Sequence, residues 1–161
     1  MQETKERIAT AQWVLERQLS WIAAAEIKVG VVVTLDIAML GGLATAFNSV
    51  ASKTCWIYLF SGSAGVLSAI ALLCAACSVL PRLDGPRKSL LFFGRIREMP
   101  RADYIDLFAK TPDSDILADW TEQIHRNSEI AFIKHMWVRK AMIWSFLSIA
   151  PWLIAVSLMA I

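Results

Sequence analysis

The chain has 161 residues, room for one domain, yet 57% of them are hydrophobic and only 19% charged, with a mean hydropathy of +0.50. That balance excludes an ordinary soluble globular domain. The charges also avoid three windows: 24 residues between Lys28 and Lys53 carry only Asp36, 28 residues between Lys53 and Arg82 carry none, and the last 21 carry none.

A membrane span needs about 20 mostly apolar residues to cross a hydrocarbon core of about 30 Å. The pattern therefore predicts an all-α membrane protein with three transmembrane helices, at 29–50, 56–80 and 141–161, and a helical cytoplasmic module at 81–140. Residues 1–28 hold four Lys/Arg and four Glu where a removable signal would need an apolar core, so the first span is expected to act as the targeting signal. Of 16 basic residues, 15 lie in 1–28 or 81–140. The excess of positive charge on the cytoplasmic side puts the N-terminus and 81–140 inside and the C-terminus across the membrane.

Residues 4–27 contain no proline or glycine, and Ile8, Leu15, Ile22 and Val29 recur every seven, with Leu19 and Val33 filling in. This helical period runs without a breaker into the first span, so 1–28 is an N-terminal helix continuing into it. A helix over 4–48 would be roughly 65 Å long. Trp13 and Trp21 suit a face packed on other helices or lying near headgroups. Asp36 falls on the same stripe and is the only ionisable group at membrane depth. Such a carboxylate is functional by default; the alternative is a protonated Asp bonded to backbone or to Ser/Thr of the second span.

Small residues at four-residue spacing, Ser61–Gly65–Ala69 and Gly41–Thr45, let membrane helices approach closely, within one subunit or between subunits. Cys74 and Cys77 form a CxxC inside the second span, where a redox or metal pair would lack partners and water. They read as packing residues, with Cys55 near the outer loop.

The cytoplasmic segment turns at "PRLDGP" through Pro81, Gly85 and Pro86. The elbow "SLLFFGRIREMPR" (89–101) then sets Phe92, Phe93 and Gly94 among Arg95, Arg97 and Arg101. "RADYIDLFAK" predicts a short amphipathic helix begun at Pro100. "KTPDSD" opens the last helix, with Asp113 or Ser114 as cap and Asp115 in its first turn. Along that helix Leu117, Trp120, Ile124, Asn127, Ala131, Lys134, Val138 and Ala141 form a 3,4 seam. Asn127 and Lys134 are wrong for a dry seam, and Gln123 precedes Asn127 by four. Buried polar groups need partners. A register-setting role accounts for Asn127 alone; three donors together ask for an anionic ligand.

No GxSxG, P-loop, GxGxxG or HExxH occurs. His125 and His135 lie ten apart and do not pair as metal ligands. Asp103, Asp106, Asp113, Asp115 and Asp119 read as a solvated face. The chain is not expected to be an enzyme or to carry a metal or cofactor. The net charge of 81–140, +2, is too small for DNA or RNA. Basic residues beside a membrane can contact anionic lipid. Yet arginine forks also grip phosphate and aromatic rings stack on bases, so a small phosphorylated ligand fits the elbow.

The order "LERQLSWIAAAEIKVGVVVTLDIAML", "PRLDGPRKSLLFFGRI", "YIDLF" and "QIHRNSEIAFIKHMWVRKAM", with apolar spans between and after, resembles the transmembrane effectors of bacterial Pycsar antiphage systems, which have related counterparts in CBASS systems. The most specific matches are Lys28, the Phe-Phe-Gly-x-Ile at 92–96, and Gln123, Asn127, Ile130 and Lys134. The resemblance implies an effector in the bacterial inner membrane, functionally linked to a nucleotide cyclase. It would sense a cyclic nucleotide (cCMP or cUMP, or a cyclic oligonucleotide if CBASS-like) and act as a homo-oligomer on the bilayer. It also implies a cytoplasmic site lined by Gln123, Asn127 and Lys134, with Lys28 and Arg95 near it; Phe93 of the elbow is expected beside that site, and Asp36 is expected to face water in the active assembly. The rival readings are an accessory subunit of a transporter or channel, and a holin-like pore former.

Overall fold

The computed structural model describes residues 2–82 and 84–160. Met1, Leu83 and Ile161, which fall within the boundaries drawn above, lie outside the described residues. Among the described residues the chain forms helices α1 (Gln2–Ser49), α2 (Cys55–Val79), α3 (Phe93–Ile96), α4 (Arg101–Lys110) and α5 (Asp113–Met159), and no strand. Three of them, α1, α2 and α5, are long and apolar enough to cross a membrane. The protein is an all-α membrane protein.

The least exposed positions of α1 alternate by four and three: Thr4, Ile8, Ala11, Leu15, Gln18, Ile22, Ala25, Val29, Val32, Asp36, Met39 and Leu43. This is a heptad seam. The stripe read from the sequence supplies alternate members of it: Ile8, Leu15, Ile22, Val29 and Asp36. Leu19 lies off it, 49% exposed.

The chain divides into two compact units. The span unit comprises Ala24–Leu80 and the chain from Lys134 onward. In it α1, α2 and α5 meet along small residues. Ala25, Ala71, Ala141 and Ala155 are wholly buried and Ala64 and Ala75 nearly so. One cluster gathers Val29, Val32, Cys74, Val138 and Ala141; a second gathers Leu43, Ala64 and Ala155. Lipid tails are as apolar as leucine, so close packing rather than loss of water holds such helices together. A larger side chain at Ala141 would cost about 1–3 kcal/mol by overpacking. Ile27, Val31, Ile37, Leu73 and Phe146 point outward and are exposed, as a lipid-facing surface requires.

The glycine spacings behave differently from the packing expected within one subunit. A Cβ at Gly41 or Gly65 would meet nothing within 4 Å, so these glycines lie off the helix contacts made inside the chain. The small residues that do pack are Ala64, Ser68, Ala71, Ala75 and Ser78 on the α2 seam.

The second unit, the elbow unit, comprises the N-terminal part of α1 up to Ala23 and Pro81–Ile133. α4 starts where the sequence predicts, with the Pro100 carbonyl accepting from the Tyr104 N–H at 3.0 Å. The start of α5 lies slightly earlier than expected. The Pro112 carbonyl accepts from Asp115 and Ile116, so Pro112 takes the capping place and the Ser114 hydroxyl turns to Asp115 instead.

Candidate functional site

The elbow is fastened by a small set of polar side chains. Ser89 is 1% exposed; its Oγ accepts from the Leu91 and Phe92 N–H groups at 3.0 and 2.8 Å and from Gln123 Nε2 at 2.9 Å. Asp119 Oδ2 accepts from the Leu90 and Leu91 N–H groups at 2.7 and 3.1 Å. The Tyr104 hydroxyl donates to the Leu90 carbonyl at 3.1 Å. A non-helical segment must place its backbone groups somewhere, and here α4 and α5 take them. This corrects the reading of Asp119 as part of a solvated face: it holds the elbow.

Thus anchored, Phe92 lies against two glycines. A Cβ at Gly85 would sit 2.4 Å from its ring, and one at Gly94 would sit 2.6 Å away. The turn glycine of "PRLDGP" and the glycine of "FFG" are both required by this ring. Phe93 packs beside it, with centroids 4.8 Å apart, and remains 64% exposed.

Between the elbow, α1 and α5 is a cavity of about 320 Å³, near the lower end of the small-molecule range of roughly 300–1,000 Å³. Leu19, Leu91 and Ile130 give it apolar walls, and Phe92 and Phe93 give it rings. Gln123, Asn127, Arg82, Arg126 and Asp84 supply its polar groups. The Gln123 side-chain N–H binds Ser89, and Asn127 Nδ2 donates to the Gln123 carbonyl at 2.9 Å, leaving the carboxamide oxygens as acceptors.

The two arginines differ. Arg126 is held at home: Nε donates to the Asp84 carbonyl at 3.1 Å, Nη2 to the Asp84 carboxylate at 3.3 Å, and Nη1 to Glu129 at 2.7 Å. The hydrogen bond from Arg126 holds the Glu129 carboxyl below the usual carboxylate range, with the charges of Arg126 and His125 adding to it. Arg82, by contrast, has a buried Nη1 with no hydrogen-bond partner among the described residues. A guanidinium donor without an acceptor is costly to bury, and it belongs to a side chain lining the cavity.

The residues singled out from the sequence are therefore divided. Phe93, Gln123 and Asn127 come together on the cavity wall. Arg95 belongs to the same unit but is not among its lining residues; it pairs with Glu98. Lys28 and Lys134 belong to the span unit. Lys28 lines a groove of about 180 Å³ with apolar neighbours such as Ile27, Val31 and Phe146. Lys134 is 7% exposed and donates to Glu26 at 2.8 Å, while its own carbonyl accepts from Ser78. Each donor of the supposed polar seam has a partner within the chain. The unanswered donor is on Arg82, which the seam argument did not reach.

Sequence reasoning also missed Arg126, Asp84 and Ser89. Arg126 follows Gln123 by three, on the same side of the helix, and that spacing was the signal. A broader groove of about 500 Å³ on the span unit is lined by uncharged residues such as Leu40, Leu43, Phe47 and Asn48 and offers a phosphate no positive charge.

Residues 10–161 match the PycTM family model, the Pycsar effector protein domain. No curated protein and no solved structure matches the chain. The chain belongs to the Pycsar effector family.

Proposed function

Starting from a Pycsar effector, we propose that the elbow cavity is a cyclic nucleotide sensor and that its occupation triggers disruption of the bacterial inner membrane by an oligomer of the chain. The observation that carries this reading is the convergence of two arginines, two carboxamides and two phenylalanine rings on one cavity, one arginine keeping an unanswered buried donor. Guanidinium groups fit phosphate oxygens as forks, aromatic rings stack on any base, and the carboxamide oxygens accept from a base edge that offers N–H donors. A cyclic mononucleotide of pyrimidine type, cCMP or cUMP, suits these dimensions better than a cyclic oligonucleotide.

In this scheme Arg82 grips the phosphate and Arg126 exchanges Asp84 for it, so the ligand competes with an internal carboxylate. A ligand shifts a conformational balance only by its differential affinity for the two states, and release of Asp84 supplies that difference. Lys28 as a ligand contact rests on the family resemblance alone, and Arg95 and Lys134 rest on it together with the elbow and seam patterns of the sequence. The elbow unit is assigned to the cytoplasm, with a nucleotide cyclase as functional partner. An effector role without chemistry of its own fits the lack of a catalytic motif in the sequence.

Calorimetry of the detergent-purified chain against cCMP, cUMP, cAMP, cGMP and cyclic dinucleotides tests this. Binding of a pyrimidine cyclic nucleotide, lost in Arg82→Ala, is the expected result. Heat from none of the panel would favour an accessory subunit without ligand.

A further inference from the structure

Asp36 is wholly buried, and neither carboxylate oxygen has a hydrogen-bond partner among the described residues. It sits between the two apolar clusters of the span unit: Val29 and Val32 precede it on α1 and Leu43 follows. The buried residues in the same interval of the other two helices include hydroxyls. On α2, between Ala64 and Cys74, they are Ser68 and the small Ala71; on α5, between Ala141 and Ala155, they are Ser145 and Ser148. The register is tied on one side by the Glu26–Lys134 ion pair and on the other by Trp152 Nε1 donating to the Met39 carbonyl at 2.8 Å. Ser145 Oγ is likewise buried without a partner, although Ser148 donates to the Ser145 carbonyl at 2.7 Å.

α5 also carries one carbonyl without its usual helical partner. Pro151 stands inside the helix and has no N–H to give to the carbonyl four residues back, that of Leu147. Carboxylate, hydroxyl and carbonyl oxygens are the donors that hard cations take. An unpaired carboxylate in a dry interior is among the most expensive arrangements a bundle can hold. The buried residues of this interval on α2 and α5 include three hydroxyls and no basic side chain, and Lys28, which lines a groove with Ser145, makes no ion pair among the described residues. Lys134, the nearest basic residue on the α5 seam, is committed to Glu26.

We propose that Asp36, with the hydroxyls of Ser68 and Ser145, forms a monovalent cation site at membrane depth, occupied by Na⁺ or K⁺ while the three helices are packed. The site neutralises the carboxylate without a basic partner. It is separate from the elbow cavity and requires no nucleotide.

The test is thermal unfolding of the full chain in a neutral detergent, in NaCl, KCl or N-methyl-D-glucamine chloride at equal ionic strength. A cation held well above its Kd should raise the Tm by roughly 3–5 °C over the bulky organic cation. Asp36→Asn, which keeps the shape and removes the charge, should abolish that difference, and Ser145→Ala should reduce it. Equal Tm values for the native chain in all three salts would overturn the site, as would an undiminished salt difference in Asp36→Asn. Neither result depends on nucleotide binding.

Discussion

The Glu26–Lys134 pair allows a sharp test because its two ends see different surroundings. The Lys134 side chain is 9% exposed and that of Glu26 56%, with 2.8 Å between Nζ and Oε1. Glu26→Gln keeps the shape but strands the ammonium in an apolar interior. Breaking a fully buried pair costs about 3–5 kcal/mol; with one partner half in solvent the expected loss is nearer about 1–3 kcal/mol. That corresponds to a fall in Tm of roughly 3–10 °C for a chain of this size. Lys134→Met removes the ammonium, fills the same volume and releases Glu26 to water, so it should cost less than about 1 kcal/mol. The double variant should melt with Lys134→Met and not with Glu26→Gln. Differential scanning fluorimetry of the four purified proteins reads this directly. A Glu26→Gln protein as stable as the native chain, or a Lys134→Met loss as large as that of Glu26→Gln, would refute the reasoning. Nucleotide binding retained in Lys134→Met would confine Lys134 to this structural pair.

Three further outcomes are expected. Gly85→Ala sets a methyl 2.4 Å from the Phe92 ring and should cost about 1–3 kcal/mol by overpacking, seen as a lower Tm. Ser89→Ala leaves Gln123 Nε2 without an acceptor and takes one from the Leu91 and Phe92 N–H groups, a loss of about 1–3 kcal/mol, with faster amide exchange at the elbow. Glu129 is held below its ordinary value by the Arg126 hydrogen bond. Its contribution is therefore present above that value and lost as pH falls through the lowered one. Arg126→Ala should flatten this part of the acid limb in a plot of Tm against pH.

The spans and the α1 seam were legible because membrane length and heptad period are local properties. Ile8, Leu15, Ile22, Val29 and Asp36 announced one helix face in the sequence, and that face is less exposed than its neighbours in the fold. The elbow was not legible in the same way. Asp119 reaches the Leu90 N–H across 29 residues and Gln123 reaches Ser89 across 34, distances at which no periodicity operates. Charge was also a poor guide to availability. Lys134 and Arg95 looked ready for a ligand but have carboxylate partners in the chain. Arg82, overlooked beside Pro81, holds the unanswered donor.

The central claim is that a cyclic nucleotide occupies the cavity framed by Phe92, Phe93, Arg82 and Arg126. Photo-crosslinking of the full chain in native membranes with an azido derivative of cCMP or cUMP, followed by peptide mapping, tests it most directly. Label confined to the elbow peptides and the Gln123–Ile130 stretch, competed away by the unmodified nucleotide, is the expected result. Competable label on the span peptides around Lys28 and Lys134, or no competable label at all, would contradict it.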